Sequence, residues 1–110
     1  MSRERIKADL AIIGAGAAGL VTASGAAQLG RKVVLFEAGE MGGDCLNYGC
    51  VPSKAILTAA HKVHAIREAG KYGVSVGEPS VDFAKVRETI QSAITTIEPN
   101  DSQERFEGFG

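Results

Sequence analysis

Residues 8–19 read A-D-L-A-I-I-G-A-G-A-A-G. Ala8 to Ile13 is a short, nearly continuous apolar run, the pattern of a strand buried on both faces of a parallel sheet. Gly14-Ala15-Gly16-Ala17-Ala18-Gly19 follows without a gap. Leu20 to Leu29 is alanine-rich and closes at Gly30, which predicts a helix with a glycine stop. Lys32 to Glu37 (K-V-V-L-F-E) predicts a second buried strand. Strand, glycine turn, helix and strand within about 30 residues make a βαβ unit, whose crossover is expected to be right-handed.

The G-x-G-x-x-G pattern sits between strand and helix, where its mechanism needs it. Gly14 permits the tight turn, Gly16 admits a pyrophosphate to the backbone, and Gly19 allows helix and strand to pack closely. Free N–H groups and a partial positive charge at the helix N-terminus then face the phosphates. Glu37 stands 18 residues after Gly19, close to the roughly 20 expected of a carboxylate that binds a ribose hydroxyl and disfavours a 2′-phosphate. The pattern alone does not separate NAD from FAD.

Beyond Glu37, Ala38 to Asp44 form a loop with Gly39, Gly42 and Gly43, suited to a backbone lying along a flat ligand or to a plain connector. Both cysteines of the protein come next, in Gly42-Gly43-Asp44-Cys45-Leu46-Asn47-Tyr48-Gly49-Cys50-Val51-Pro52-Ser53-Lys54. On a regular helix the Cα atoms of Cys45 and Cys50 would lie about 8.7 Å apart. A disulfide needs less than about 7 Å. A bond between them therefore requires a distorted turn or a broken helix start, for which Gly49 and Pro52 are suitable, and it would be readily reduced. A metal site is the competing reading, with His61 and His64 completing a soft ligand set. Against it, C-x4-C is wider than most zinc knuckles, and the histidines lie 11 or more residues past Cys50, about 16 Å along one helix.

Ser53 to Ala69 carries Ile56, Ala59, Ala60, Val63 and Ile66 on one stripe and ends at Gly70, which predicts a helix. Gly70 to Val81 reads as a loop. Asp82 is a suitable N-cap for a helix bearing Phe83, Val86, Ile90, Ala93 and Ile97, which stops before Pro99. Two narrow apolar seams on consecutive helices predict an antiparallel hairpin, with any leftover apolar face available for a subunit contact. Asp101 to Phe109 predicts a short helical return capped by Asp101 or Ser102.

Composition bounds the rest. The 110 residues allow at most one domain, and a formal net charge of -1 gives no basic surface for nucleic acid and no polybasic segment for membrane. The charged start Met1-Ser2-Arg3-Glu4-Arg5-Ile6-Lys7 is neither a signal peptide nor a membrane span. A cytoplasmic location is expected, where two closely spaced cysteines are more often catalytic or metal-binding than a structural staple.

Gly14 to Gly19, Glu37 and the run from Gly42 to Lys54 resemble the N-terminal part of the pyridine nucleotide–disulfide oxidoreductases, the group of dihydrolipoamide dehydrogenase, glutathione reductase and mercuric reductase. The resemblance spans essentially the whole chain, including the final D-S-Q-E-R-F. It implies that the βαβ unit binds FAD, with Gly14, Ala15, Gly16, Ala18 and Gly19 at the pyrophosphate and Glu37 and Ala38 at the adenosine ribose. Gly42, Gly43 and Asp44 would also touch the cofactor, and Cys50 and Lys54 would stand at its flavin. Cys45 resembles the interchange thiol that attacks the substrate disulfide, Cys50 the thiol beside the flavin, and Lys54 the lysine whose charge favours reduced flavin and thiolate. Electrons would pass from NAD(P)H through FAD to a Cys45–Cys50 disulfide, and on by thiol–disulfide exchange.

Pro52-Ser53-Lys54 resembles the lipoamide and mercuric types, whereas glutathione reductases tend to have lysine in place of Ser53. Asp44 stands where threonine is usual. The run G-G-D-C-L-N-Y-G-C most resembles that of mercuric-reductase-like proteins, which implies Hg(II), a soft ion suited to two thiolates, as acceptor, with a small disulfide or dithiol as the close alternative. Family members are several times longer, carrying an NAD(P) domain, a later FAD segment and an interface domain that completes the site across a homodimer. The sequence therefore reads as an incomplete FAD-binding domain: 1–44 the βαβ unit, 45–54 the redox segment, 53–98 the helical hairpin and 99–110 the start of a continuation. Such a fragment is expected to bind FAD weakly and to lack NAD(P)H turnover. A stand-alone NAD module and a cofactor-independent thiol switch are the alternatives.

Overall fold

The computed structural model describes residues 3–110; Met1 and Ser2 of the charged start lie outside the described residues. Strand β1 (Leu10–Ile13) leads through the glycine turn into helix α1 (Ala17–Gln28) and strand β2 (Val33–Phe36). The strands pair in parallel, Leu10 opposite Val33 and Ile13 opposite Phe36. This is the expected βαβ unit, with α1 starting three residues before the predicted Leu20. At its far end the Gly30 N–H donates to the Ala27 carbonyl (2.9 Å) and the Arg31 N–H to the Ala26 carbonyl (3.0 Å), a Schellman-type stop that satisfies the last free carbonyls.

A short helix then starts against the turn, with Gly43 beside Gly16. Helix α2 (Gly43–Asn47) is followed at once by α3 (Cys50–Glu68), a 3-10 turn over Ala69–Tyr72, α4 (Phe83–Ile97), a second 3-10 turn over Glu98–Asp101, and α5 (Gln103–Glu107). The Asp82 carboxylate accepts from the Ala84 and Lys85 N–H groups, and the Ser102 hydroxyl from the Arg105 N–H, so both expected caps operate. The two long helices α3 and α4 pack against each other. Their apolar stripes are only half used: Val63, Ile66, Val86 and Ile90 are half-buried, while Ile56 and Phe83 stay exposed.

The core is small and localised. Ala15, Leu20, Ala23 and Leu46 are the buried apolar residues among those described. Leu20 and Ala23 are one helical turn apart and so share one face of α1, and Leu46 is the buried residue of α2. The strands depart from expectation. Ile13 is 91% exposed and Phe36 52% exposed, because a two-stranded sheet covered by one helix buries one face only. The Cα radius of gyration is 20.6 Å, with extents of 69 × 31 × 18 Å, against about 13 Å for a compact chain of this size. The helical pair thus extends away from the βαβ unit.

One position governs how close α1 lies to the sheet. A side-chain carbon at Gly19 would sit 1.9 Å from the Gly14 carbonyl oxygen and 3.4 Å from the Ile12 side chain. Gly19→Ala must therefore push α1 off the turn; a loss of about 1–3 kcal/mol is expected, read as a lower midpoint in urea unfolding, whereas Gly25→Ala, with open space around it, should leave the midpoint level or raise it.

Candidate functional site

The site grows from the Gly14–Gly19 turn. Gly14 adopts φ +101°, a left-handed conformation that favours glycine, and its N–H donates to the Phe36 carbonyl at 2.7 Å. That bond joins the turn to the end of β2. Gly16 caps α1 without any side-chain hydrogen bond, leaving the first-turn N–H groups, including that of Ala18, without a capping side chain. No atom lies within 4 Å of the place where a Gly16 side chain would begin. First-turn N–H groups without a capping side chain, beside a glycine with open space at its Cβ position, fit a dinucleotide pyrophosphate.

Glu37 follows β2 directly. Its Oε2 accepts from the Ala15 N–H at 2.6 Å and its Oε1 from the Gly39 N–H at 2.7 Å. These two bonds, that from Ala15 first, hold its carboxyl below the usual carboxylate range. A carboxylate has about four lone-pair directions, so both bonds leave acceptor capacity for a ribose hydroxyl. Ala38 lies beside it on the exposed loop.

The second glycine loop is locked onto the first. The Gly42 N–H donates to the Ala15 carbonyl at 2.9 Å, and a side-chain carbon at Gly43 would lie 2.8 Å from the Gly16 Cα. Backbone meets backbone here with no room for a side chain. Gly43 begins α2, which carries Asp44 on its exposed face, Cys45 half-buried, and Leu46 in the core.

The break that the cysteine spacing requires is present at Tyr48-Gly49. Cys45 lies within α2, and Cys50 is the first residue of α3. Gly49 has φ -113° and ψ -108°. A side-chain carbon there would meet the Asp44 carbonyl oxygen at 2.9 Å and the Cys45 Cα at 3.4 Å, so glycine lets the start of α3 fold back against α2. Pro52 sits in the first turn of α3, where its missing N–H breaks no helical bond. Cys45 and Cys50 are free thiols, the first half-buried and the second exposed. Hydrogen bonding with the Cys50 side chain, then burial, then the charge of Cys50 push the Cys45 thiol above its ordinary value, opposed by a hydrogen bond from the Cys50 backbone and, after it, by the charge of Lys54. Lys54 is exposed one turn further along α3.

Neighbouring residues that sequence reasoning left without roles complete the assembly. The Asn47 amide donates to the Met41 carbonyl (3.2 Å) and the Gly43 carbonyl (2.9 Å). The Tyr48 hydroxyl donates to Glu40 Oε2 at 3.1 Å; that bond and the negative charge of Glu40 push the phenol up. Leu46 and Asn47 stand alone between cysteines, in a stretch too short for periodicity to mark one as core and the other as anchor. His61 and His64 are both exposed on α3, and the described residues hold no group of three or more His, Cys, Asp or Glu side chains placed to bind a metal. No described helix is long and apolar enough to cross a membrane.

Two outcomes test these electrostatics. The lowered pKa of Glu37 means that its contribution to stability is present above the unfolded carboxylate value and lost as pH falls through the folded one. The wild-type thermal midpoint should therefore decline on acidification through that window, and Glu37→Gln should flatten the decline. Separately, Cys50→Ala should shift the pH dependence of Cys45 alkylation by iodoacetamide to lower pH, because it removes the largest cause of the raised value; an unmoved profile would contradict the contact.

Comparison with known proteins agrees with this assembly. Residues 8–105 match the family described as Pyridine nucleotide-disulphide oxidoreductase. The chain is 42% identical over 92 residues to the dihydrolipoyl dehydrogenase of Geobacillus stearothermophilus, covering 84% of this chain and 20% of that protein. Over the same 92-residue length and with the same coverage, it is 41% identical to a dihydrolipoyl dehydrogenase of Bacillus subtilis (strain 168) and 44% identical to that of Staphylococcus aureus. The chain thus spans about a fifth of the length of the curated relatives it matches. With a paired glycine-loop platform, two thiols at a helix break, and a family match over nearly all its residues, the chain belongs to the pyridine nucleotide–disulphide oxidoreductases.

Proposed function

We propose that the chain is the N-terminal part of a flavoprotein disulfide reductase of the dihydrolipoyl dehydrogenase type, acting on a small dithiol or disulfide. The observation that carries this reading is the backbone contact between Gly42-Gly43 and Ala15-Gly16. It makes one body of the anion-accepting turn and the helix that bears Cys45. Relatives bearing the name dihydrolipoyl dehydrogenase favour a dithiol over Hg(II) as substrate.

Division of labour follows the fold. Residues 1–44 hold the dinucleotide, 45–54 carry the redox pair, 53–98 support it as an antiparallel hairpin, and 99–110 lead into a continuation. The free N–H groups of α1 receive the pyrophosphate of FAD, and Glu37, oriented by Ala15 and Gly39, accepts from the ribose. FAD, when bound, carries two electrons between NAD(P)H and the cysteine pair. Cys50 stands at the N-terminus of a 19-residue helix, the end that favours negative charge, and is the thiol placed toward the flavin. Cys45 is the interchange thiol. In the oxidative half its sulfur forms a mixed disulfide with the substrate as the substrate S–S bond breaks. Cys50 sulfur then displaces the second substrate thiol, leaving a Cys45–Cys50 disulfide and a substrate dithiol. Lys54, one turn from Cys50, contributes the local positive charge.

The test is the visible spectrum of a protein extended beyond Gly110 by its own continuation, before and after addition of NAD(P)H. A yellow protein that gains a long-wavelength charge-transfer band, lost in Cys50→Ser, supports the reading; a protein that binds no FAD sinks it. The 110-residue chain alone is expected to bind FAD weakly and to show no NAD(P)H oxidation.

A further inference from the structure

We infer that Asn47 is a positioning residue that fixes the orientation of α2 and so holds Cys45 where one acceptor atom can be shared with Cys50. The inference rests on the reading of Cys45 and Cys50 as a working pair.

Helix α2 has five residues, too few to hold itself by backbone bonds alone. Its first residue, Gly43, is seated against Gly16 and Leu46 anchors its middle with 2% exposure, but an apolar contact is non-directional and gives the C-terminal end no directional tie. Asn47 supplies that tie. Its half-buried amide uses both N–H donors, one on the Met41 carbonyl and one on the Gly43 carbonyl. Those carbonyls flank Gly42, whose own N–H is bonded to Ala15. The amide therefore ties the C-terminal end of α2 to the loop that precedes the helix through Met41, and to the helix's own first residue, which packs on Gly16, through Gly43. Asn47 is two residues after Cys45 and three before Cys50, so this tie sets the direction from which both thiols project. The neighbouring Tyr48–Glu40 bond is exposed and competes with water, which makes it the weaker brace.

Asn47→Asp keeps the shape but exchanges both donors for acceptors that face two carbonyl oxygens. Its defect should be reversible, since a protonated carboxyl regains one O–H donor. The probe is phenylarsine oxide, titrated into the fully reduced 110-residue chain. Its oxygen leaves as water with the two thiol protons, and arsenic forms one bond to each sulfur, with no change of oxidation state. Cys45→Ser provides the one-thiol baseline, and circular dichroism confirms retained helix content at each pH.

Wild type is expected to bind one arsenical with loss of both free thiols. Asn47→Asp and Asn47→Ala are expected to bind about tenfold or more weakly near neutral pH, through lower effective concentration of the second thiol. Below the ordinary carboxyl value of about 3.9, the aspartate variant should move back toward wild type while the alanine variant does not. Affinity of both variants within about twofold of wild type, or an aspartate deficit that acid leaves unchanged, overturns the inference about Asn47 alone. If wild type keeps a free thiol after binding one arsenical, the cooperating pair itself is wrong and the inference falls with it. Should Asn47→Asp lose its helix content at neutral pH, the alanine variant, which introduces no charge, carries the neutral-pH comparison by itself.

Discussion

Everything in this chain depends on the closeness with which three stretches of backbone approach one another at the glycine turn. Gly19 lies against Gly14, Gly43 against Gly16, and Gly49 against the Asp44 carbonyl. Each contact is closer than any side-chain carbon permits. The first sets the height of α1 over the sheet, the second seats α2 on the turn, and the third folds α3 back on α2. Fourteen glycines in 110 residues carry an entropic cost in the unfolded chain. Here part of that cost is offset by hydrogen bonds that such approaches make possible, such as Gly42 to Ala15 and Gly14 to Phe36.

The electrostatics follow from the same geometry. Glu37 reaches the Ala15 N–H only because the turn curls back over the end of β2. That bond depresses its pKa and keeps a negative charge beside the helix that would receive phosphates. The arrangement is workable because the charge lies at the Ala15 N–H, leaving the first-turn N–H groups of α1 uncapped. Likewise, the raised Cys45 value arises because the helix break brings the Cys50 side chain to it. A thiol kept protonated by its neighbour is a poorer nucleophile at rest. The two opposing influences, a hydrogen bond from the Cys50 backbone and then the charge of Lys54, both come from the helix that Cys50 begins.

Large apolar residues remain uncovered: Ile13 and Phe36 at the strand ends, Val21 on α1 and Leu29 just after it, Phe83 on α4. The chain matches about a fifth of its relatives' length and has a core of four buried apolar residues among those described. The same arithmetic explains why strands that read as buried on both faces are half exposed. Alternation and apolar runs report what a strand is prepared to bury, while burial itself depends on how many layers are stacked upon it.

Local order was legible in the residues. The βαβ unit, the caps at Asp82 and Ser102, the stop at Gly30 and the helix break between Cys45 and Cys50 all follow from short-range rules: fixed periods, side-chain capping, and the reach of a disulfide against the rise of a helix. The roles of Leu46 and Asn47 did not follow, nor did the capture of Glu37 by Ala15 across 22 positions. Those depend on which loop lies beside which after folding. The sequence by itself determined the βαβ unit, the two long helices and their order, but not helix α2, because only the former rest on patterns long enough to read among neighbours. Only the tertiary structure decided that the two glycine loops share one surface and that the cysteine pair hangs from it, because that contact joins backbone atoms, which are alike at every position in the chain.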